Sequence, residues 1–266
     1  MMVTVWLTYC IVGAFAGIMA GLLGVGGGIV IVPMLTFTFT AQQFPSQHIL
    51  HLALGTSLAT IVFTSIASFR THHGKGMVNW QVVRLITPGI LVGTLAGSWV
   101  AASLSTGFLK VFFVGFTFFV AVQMLLDIRP KPTRQLPGGM ALFGAGTFIG
   151  AVSSLVGIGG GSMSVPLLIW CNVSVYGAIG TSAAIGFPIA LSGALGYILN
   201  GMAATGLPSH SLGFIYLPAL IGVAGMSYLT APLGARLSHR LPVSGLKKLF
   251  ACLLIATGLK MLSGLV

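Results

Sequence analysis

Apolar runs of about 20 residues, the length that carries a helix across a bilayer, follow one another along this chain with only short connections between them. Of its 266 residues, 56% are hydrophobic and 5% charged, and the mean hydropathy is +1.06. A soluble domain keeps roughly a quarter of its residues charged, so lipid must solvate most of this surface. Short segments show no apolar–polar alternation, which excludes a transmembrane β-barrel. The expected fold is therefore an all-α polytopic membrane protein.

Eight long spans are expected at 5–23, 49–68, 82–102, 109–126, 141–157, 179–199, 212–233 and 246–265. Two shorter apolar pieces, 29–41 and 165–177, make up the rest. The N-terminal stretch MMVTVWLTYCIVGAFAGIMAGLLG has no basic n-region and no cleavage site before a polar chain, so it reads as a retained first span. Cys10, Cys171 and Cys252 lie far apart in apolar segments and read as small buried residues.

GVGGGIVIVPML at 24–35 and GIGGGSMSVPLL at 157–168 agree at seven of twelve positions. GAFAG at 13–17 matches GTFIG at 146–150 in the same register, and GTS recurs at 55–57 and 180–182 after a register change of eight residues. Leu109-Lys110 then matches Leu246-Lys247, and Met124-Leu125 matches Met261-Leu262. Ordered matches with small gaps argue for duplication. The chain divides into a first membrane repeat (1–128), a basic, proline-rich connecting loop (129–139) and a second membrane repeat (140–266).

The charges discriminate between parallel and inverted halves. Twelve Lys and Arg stand against one acid, Asp127, for a formal net charge of +11. If the short pieces dip in and return between eight spans, the loop charges split between the two sides. If each instead completes a crossing that begins at a break inside the membrane, giving five crossings per half, Arg70, Lys75, Arg84, Arg129, Lys131, Arg134, Arg236, Arg240, Lys247 and Lys248 all fall on one side, with Lys110 and Lys260 near the other. The positive-inside rule favours the second arrangement, an inverted 5+5 repeat with both termini outside. No polar basic domain exists that could hold nucleic acid; the expected surroundings are a lipid bilayer. Nothing in the sequence sets the oligomeric state, and a homo-oligomer fits it.

Candidate binding residues come from the repeated glycine clusters. Consecutive glycines, each costing a helix up to about 1 kcal/mol relative to Ala, and a following Pro33 or Pro166 break the helix inside an apolar stretch. Non-helical backbone at membrane depth survives only in protein or beside a wet cavity. A broken helix also exposes free N–H groups suited to an anion, and paired breaks in two halves point to a transporter's substrate site. Tight packing through small residues is the competing account. The candidates are Gly26, Gly27, Gly28 and Pro33, with Gly159, Gly160, Gly161, Ser162 and Pro166. Thr56, Ser57, Thr181 and Ser182 add neutral hydroxyls near the start of a span, or else act as caps and packing groups. Ser162 stands where the first copy has Ile29, so the two half-sites are not equivalent.

Asn172, Asn200 and Gln123 read as interhelical hydrogen-bonding groups, His48 and His51 as an interfacial pair, Trp6 and Trp80 as interface anchors, and His72 and His73 carry no assigned role. With no intramembrane carboxylate, a proton relay or cation cage is hard to build, whereas an anion path is easy. No catalytic set, cofactor or metal site can be assembled.

The two copies of G-[VI]-G-G-G-x4-P (24–33 and 157–166), each followed by a GTS run, resemble the TauE/SafE family of membrane transporters over essentially the whole chain. The resemblance implies a secondary transporter, an exporter of sulfite, an organosulfonate or a related sulfur anion, working by alternating access. It points to Gly26, Gly27, Gly28, Pro33, Gly159, Gly160, Gly161 and Pro166, and less directly to the Thr and Ser of the two GTS runs. A passive anion channel and a non-transport structural or assembly protein remain the alternatives.

Overall fold

The computed structural model describes residues 2–24, 27–126, 135–238 and 243–264. Ten α-helices lie within them: α1 (Met2–Leu23), α2 (Gly28–Ala41), α3 (Ile49–His73), α4 (Trp80–Ser103), α5 (Thr106–Leu125), α6 (Gly139–Val156), α7 (Gly161–Trp170), α8 (Val175–Gly201), α9 (Leu217–Leu237) and α10 (Val243–Ser263). One two-residue hairpin, β1 (Ser211–Leu212) and β2 (Ile215–Tyr216), precedes α9. Seven of the helices are long and apolar enough to cross a membrane, and α2 and α7 are shorter apolar helices. The protein is an all-α polytopic membrane protein.

Close helix packing shows the direction of each half. A Cβ on Gly13, Gly17 or Gly21 of α1 would fall on the backbone of Val223, Ser227 or Ala231 of α9. One on Gly89, Gly93 or Gly97 of α4 would fall on Phe143, Thr147 or Ala151 of α6. Both pairs therefore run parallel, in four-residue steps, with small residues letting the backbones touch. Gln42 at the end of α2 donates to the Tyr9 hydroxyl near the start of α1 (2.8 Å). Lys110 near the start of α5 donates to Gly264 O beyond α10 (2.6 Å), and Thr106 donates to Gln47 O before α3 (2.6 Å). One end of the bundle thus holds the start of α1, the end of α2, the starts of α3 and α5, and the end of α10. From that end α1 runs inward, whereas α6, parallel to α4, runs from the other, so the two sets of five helices are inverted.

Arg70, Lys75, Arg84, Arg236 and Lys248 lie at the end opposite the start of α1, hereafter the basic end. At the far end, Lys260 sits over the Phe37 ring at 4.8 Å. Asp127, Arg129, Lys131, Arg134 and Arg240 lie outside the described residues.

The short helices do not traverse the full depth. Gly27 is level with Ala16 of α1, whose carbonyl a Cβ would meet at 2.8 Å. From there the 14 residues of α2 climb only about 21 Å back to the far end. α1–α2 and α6–α7 are thus two broken-helix hairpins entering from opposite ends. Helices α3 and α8 pass between them, and their sides are buried almost throughout. Lipid meets the outer helices, where Phe148, Leu229 and Trp99 are about two-thirds exposed.

Several expected boundaries shift. The second short helix ends at Trp170 instead of 177, because Asn172 takes a positive φ of 62° and Ser174 caps α8, accepting from Gly177 N at 3.2 Å. The span expected from 212 starts at Leu217, since Gly213 turns the β1–β2 hairpin with φ 54°. The span expected to end at 68 continues through Arg70 to His73, its basic last turn complementing the helix dipole.

Candidate functional site

The two breaks share a backbone plan. Gly24 and Gly27 bracket the first with φ of 67° and 74°, and Gly157 and Gly160 bracket the second with φ of 69° and 73°. These left-handed values are where glycine costs least. Gly26 lies outside the described residues. The tips meet halfway along the bundle: a Cβ on Gly28 would overlap Gly157 O and approach Ile158 Cα to 2.9 Å. Helices α2 and α7 start there, so their first N–H groups, which have no intrahelical acceptor, lie at mid-depth. Pro33 and Pro166 sit in the sixth position of α2 and α7, Pro33 buried and Pro166 half-buried.

The repeated GTS runs tie each break to the opposite half. Ser57 of α3 donates to Gly157 O (2.8 Å), and Ser182 of α8 donates to Gly24 O (3.0 Å). Thr56 accepts from Tyr216 N and Thr181 accepts from Asn79 N, both at 2.9 Å. All four hydroxyls are buried, and each holds a loop or break in place. They lie inside their helices, beyond the first turn expected for a cap: the capping residues of α3 and α8 are His48 and Ser174.

The finish of the two breaks differs. At the first, a cavity is lined by Ala20, Gly24, Thr64, Ser65, Ser68, Ser182, Ala183 and Gly186. It admits one water-sized guest. By the pairing of Ser182 with Ser57 and Gly24 with Gly157, the related α8 residues are Ile189, Ala190 and Gly193. At the second break, α7 carries Ser162 and Ser164 where α2 has Ile29 and Ile31. Ser162 and Ser153 are buried with hydroxyls that find no partner among the described residues, and Ser153 Oγ lies 3.3 Å from where a Gly160 Cβ would be. Ser164 shares a hydrogen bond with Ser182 (2.7 Å), linking the two breaks.

Thr64, Ser65, Ser68 and Ser153 were not among the sequence candidates. The signal was present: Thr56, Thr60, Thr64 and Ser68 repeat every four residues along one ridge of α3, against Thr181, Ile185, Ile189 and Gly193 on α8.

Other polar candidates lie away from the breaks. His48 Nε2 is 3.1 Å from Thr205 O, and His51 Nε2 is 3.1 Å from Ala101 O; both rings face Phe214. With Gln47, Thr106 and Asn200 they line a wide recess at the far end. Asn200 donates to Gly196 O within its own helix (2.7 Å). At the basic end, Trp80 Nε1 donates to His73 Nδ1 (3.1 Å), and His72 reaches Gly21 O (3.3 Å), closing α3 onto α4 and α1. Among the described residues no group of three His, Cys, Asp or Glu is placed to hold a metal ion.

The family model described as sulfite exporter TauE/SafE matches residues 9–261. A probable membrane transporter protein of Haemophilus influenzae is 38% identical over 98% of this chain and 99% of its own length. Probable membrane transporter proteins of Bacillus subtilis and Methanocaldococcus jannaschii are 24% and 26% identical, each over 95% of this chain and over 95% and 93% of their own lengths. No solved structure matches. Its sequence, its inverted broken-helix hairpins and these relatives together place the chain in the TauE/SafE family, as a multi-pass membrane transporter.

Proposed function

We propose that the protein is a secondary transporter of a small anion, an exporter of sulfite, an organosulfonate or a related sulfur compound, working by alternating access. The observation that carries this reading is the meeting of two inverted hairpin tips halfway along the bundle. An anion seated there accepts hydrogen bonds from the first N–H groups of α7 and from the Ser162 and Ser153 hydroxyls. Gly159, Gly160 and Gly161 let it approach the backbone; Gly27, Gly28 and Pro33 form the opposing wall, and Gly26 lies outside the described residues. Thr56, Ser57, Thr181 and Ser182 hold both walls to their partner helices.

Alternating access follows from rocking one repeat, 1–128, against the other, 140–266, joined by the loop 129–139. The basic end faces the cytoplasm of a bacterial inner membrane, leaving both termini outside. The family's description as sulfite exporters supports sulfite as substrate and export as direction.

The test is counterflow in proteoliposomes with sulfite, thiosulfate, sulfate, sulfoacetate and short carboxylates. Uptake of labelled sulfite stimulated by unlabelled sulfite inside is the expected result. Conductance without counterflow would assign a channel instead, and no movement of any anion would leave only a structural role.

A further inference from the structure

Three of the four hydroxyls that line the cavity at the first break already donate within the protein, so acceptor oxygens outnumber free donors there. Each hydroxyl has one hydrogen and two lone pairs. Ser65 spends its hydrogen on Val62 O (3.0 Å), Ser182 on Gly24 O (3.0 Å), and Thr64 on Thr60 O (3.1 Å) or the Ser227 hydroxyl (2.7 Å). What these side chains retain is acceptor capacity. Gly24 ends α1, so the negative end of that helix dipole also falls on the cavity. Ser68 is 2% exposed, lines the cavity, and its Oγ has no partner among the described residues. A buried hydroxyl left in that state calls for a ligand.

We propose that Thr64, Ser65, Ser68, Ser182 and the Gly24 carbonyl form a binding site for a sodium ion, on which anion transport depends. The proposal rests on the transporter reading above. An ion of about the size of a water molecule fits the space, and an oxoanion does not. Carbonyls freed at helix breaks and the C-terminal ends of half-helices are established partners for alkali cations within the membrane. The second break does not repeat this lining: Ile189 and Ala190 stand where Thr64 and Ser65 would be, and a Leu58 methyl group lies 2.9 Å from where a Gly193 Cβ would be. Ser164, bonded to Ser182, connects this site to the start of α7, where the anion is placed.

Purified protein, without any anion substrate candidate, is melted in NaCl and in choline chloride at equal ionic strength. Sodium should raise the melting temperature by about 5–10 °C at a concentration near 100 Kd. Ser68→Ala and Thr64→Val should lose that shift, and Ser192→Ala, a buried hydroxyl on α8 away from the cavity, should keep it. In proteoliposomes, replacing sodium by choline on both sides should slow sulfite counterflow at least tenfold. Equal melting in the two salts, or a shift that survives in Ser68→Ala and Thr64→Val, would mean the cavity holds only water and overturn the proposal. Sulfite counterflow indifferent to sodium would overturn its coupling role while the transporter reading stands. A sodium shift lost in Ser68→Ala, with no anion transported in any medium, would keep the site and remove the transporter reading.

Discussion

At the first break the cavity wall is Thr64, Ser65, Ser68 and Ser182; at the related positions round the second stand Ile189, Ala190, Gly193 and Ser57. The helices leaving the breaks reverse the contrast, with Ile29 and Ile31 on α2 against Ser162 and Ser164 on α7. The features held in common are those that shape the backbone: left-handed glycines, a proline six residues into the short helix, and a serine reaching across from the other half. The features that differ are hydroxyls, and three of them, Ser68 at the first break and Ser153 and Ser162 at the second, find no partner among the described residues. Duplication has thus supplied one scaffold twice, and substitution has placed the extra hydroxyls on α3 at one tip and on α6 and α7 at the other. On the two proposals above, an inverted pair whose tips touch would hold oppositely charged guests side by side without any carboxylate.

Destroying the contact between the tips has the largest expected effect. Gly28→Val places carbon on Gly157 O and Ile158 Cα, backbone atoms that cannot swing aside as the nearby Ile61 methyl group can. Overpacking of this kind costs about 1–3 kcal/mol or more, and counterflow should fall more than 100-fold. Gly115→Ala, with nothing within 4 Å of its Cβ, should match the parent in melting and in flux. Normal flux in Gly28→Val would show that the tips do not form the path.

Making the tips alike comes next. Ser162→Ile gives the second break the side chain of the first and removes one hydroxyl facing the proposed anion. A hydrogen bond to a charged group is worth about 1.5–3 kcal/mol, so flux should drop by about 10- to 100-fold. Ile29→Thr should cost stability while leaving flux per folded molecule within about threefold, because α2 supplies a wall. Equal losses in both would make the two half-sites equivalent.

The reciprocal serines test the shared scaffold. Ser57→Ala strands Gly157 O and Ser182→Ala strands Gly24 O, each costing about 1–3 kcal/mol by chemical or thermal unfolding. In choline Ser182→Ala should be the more destabilised of the two, because it also strips Ser164 of its partner. In sodium only Ser182→Ala should lose stabilisation, since Ser57 does not line the cavity.

Much of this architecture was legible in the sequence. Apolar length gave the helices, the glycine clusters gave the breaks, and the one-sided lysines and arginines gave the inversion, which the parallel packing of α1 on α9 and α4 on α6 displays. The roles of the GTS hydroxyls were not legible, because Ser57 and Gly157 are 100 residues apart and only the folded inversion pairs them. The proposed sodium site was not legible either, because the chain offers no intramembrane carboxylate to mark it. An oxygen cage built from α3 hydroxyls, an α8 serine and a helix end draws on three separate segments and carries no formal charge.

The smallest expected effect lies outside the breaks, where the two ends of the bundle differ. Lys75 and Arg236 line a recess at the basic end with Leu233 and Leu237, whereas the far recess is lined by His48, His51, Gln47 and Asn200. Solvent-facing cations draw an anion toward one end without touching it at the site, and that attraction is screened within about 8 Å at physiological ionic strength. Lys75→Gln should therefore lower the apparent affinity for sulfite offered at the basic end about twofold at low salt. At high salt it should have no effect, and at either salt no effect on sulfite offered at the far end. A loss that persists at high salt would place Lys75 in contact with the anion, moving part of the binding site from the hairpin tips to the mouth.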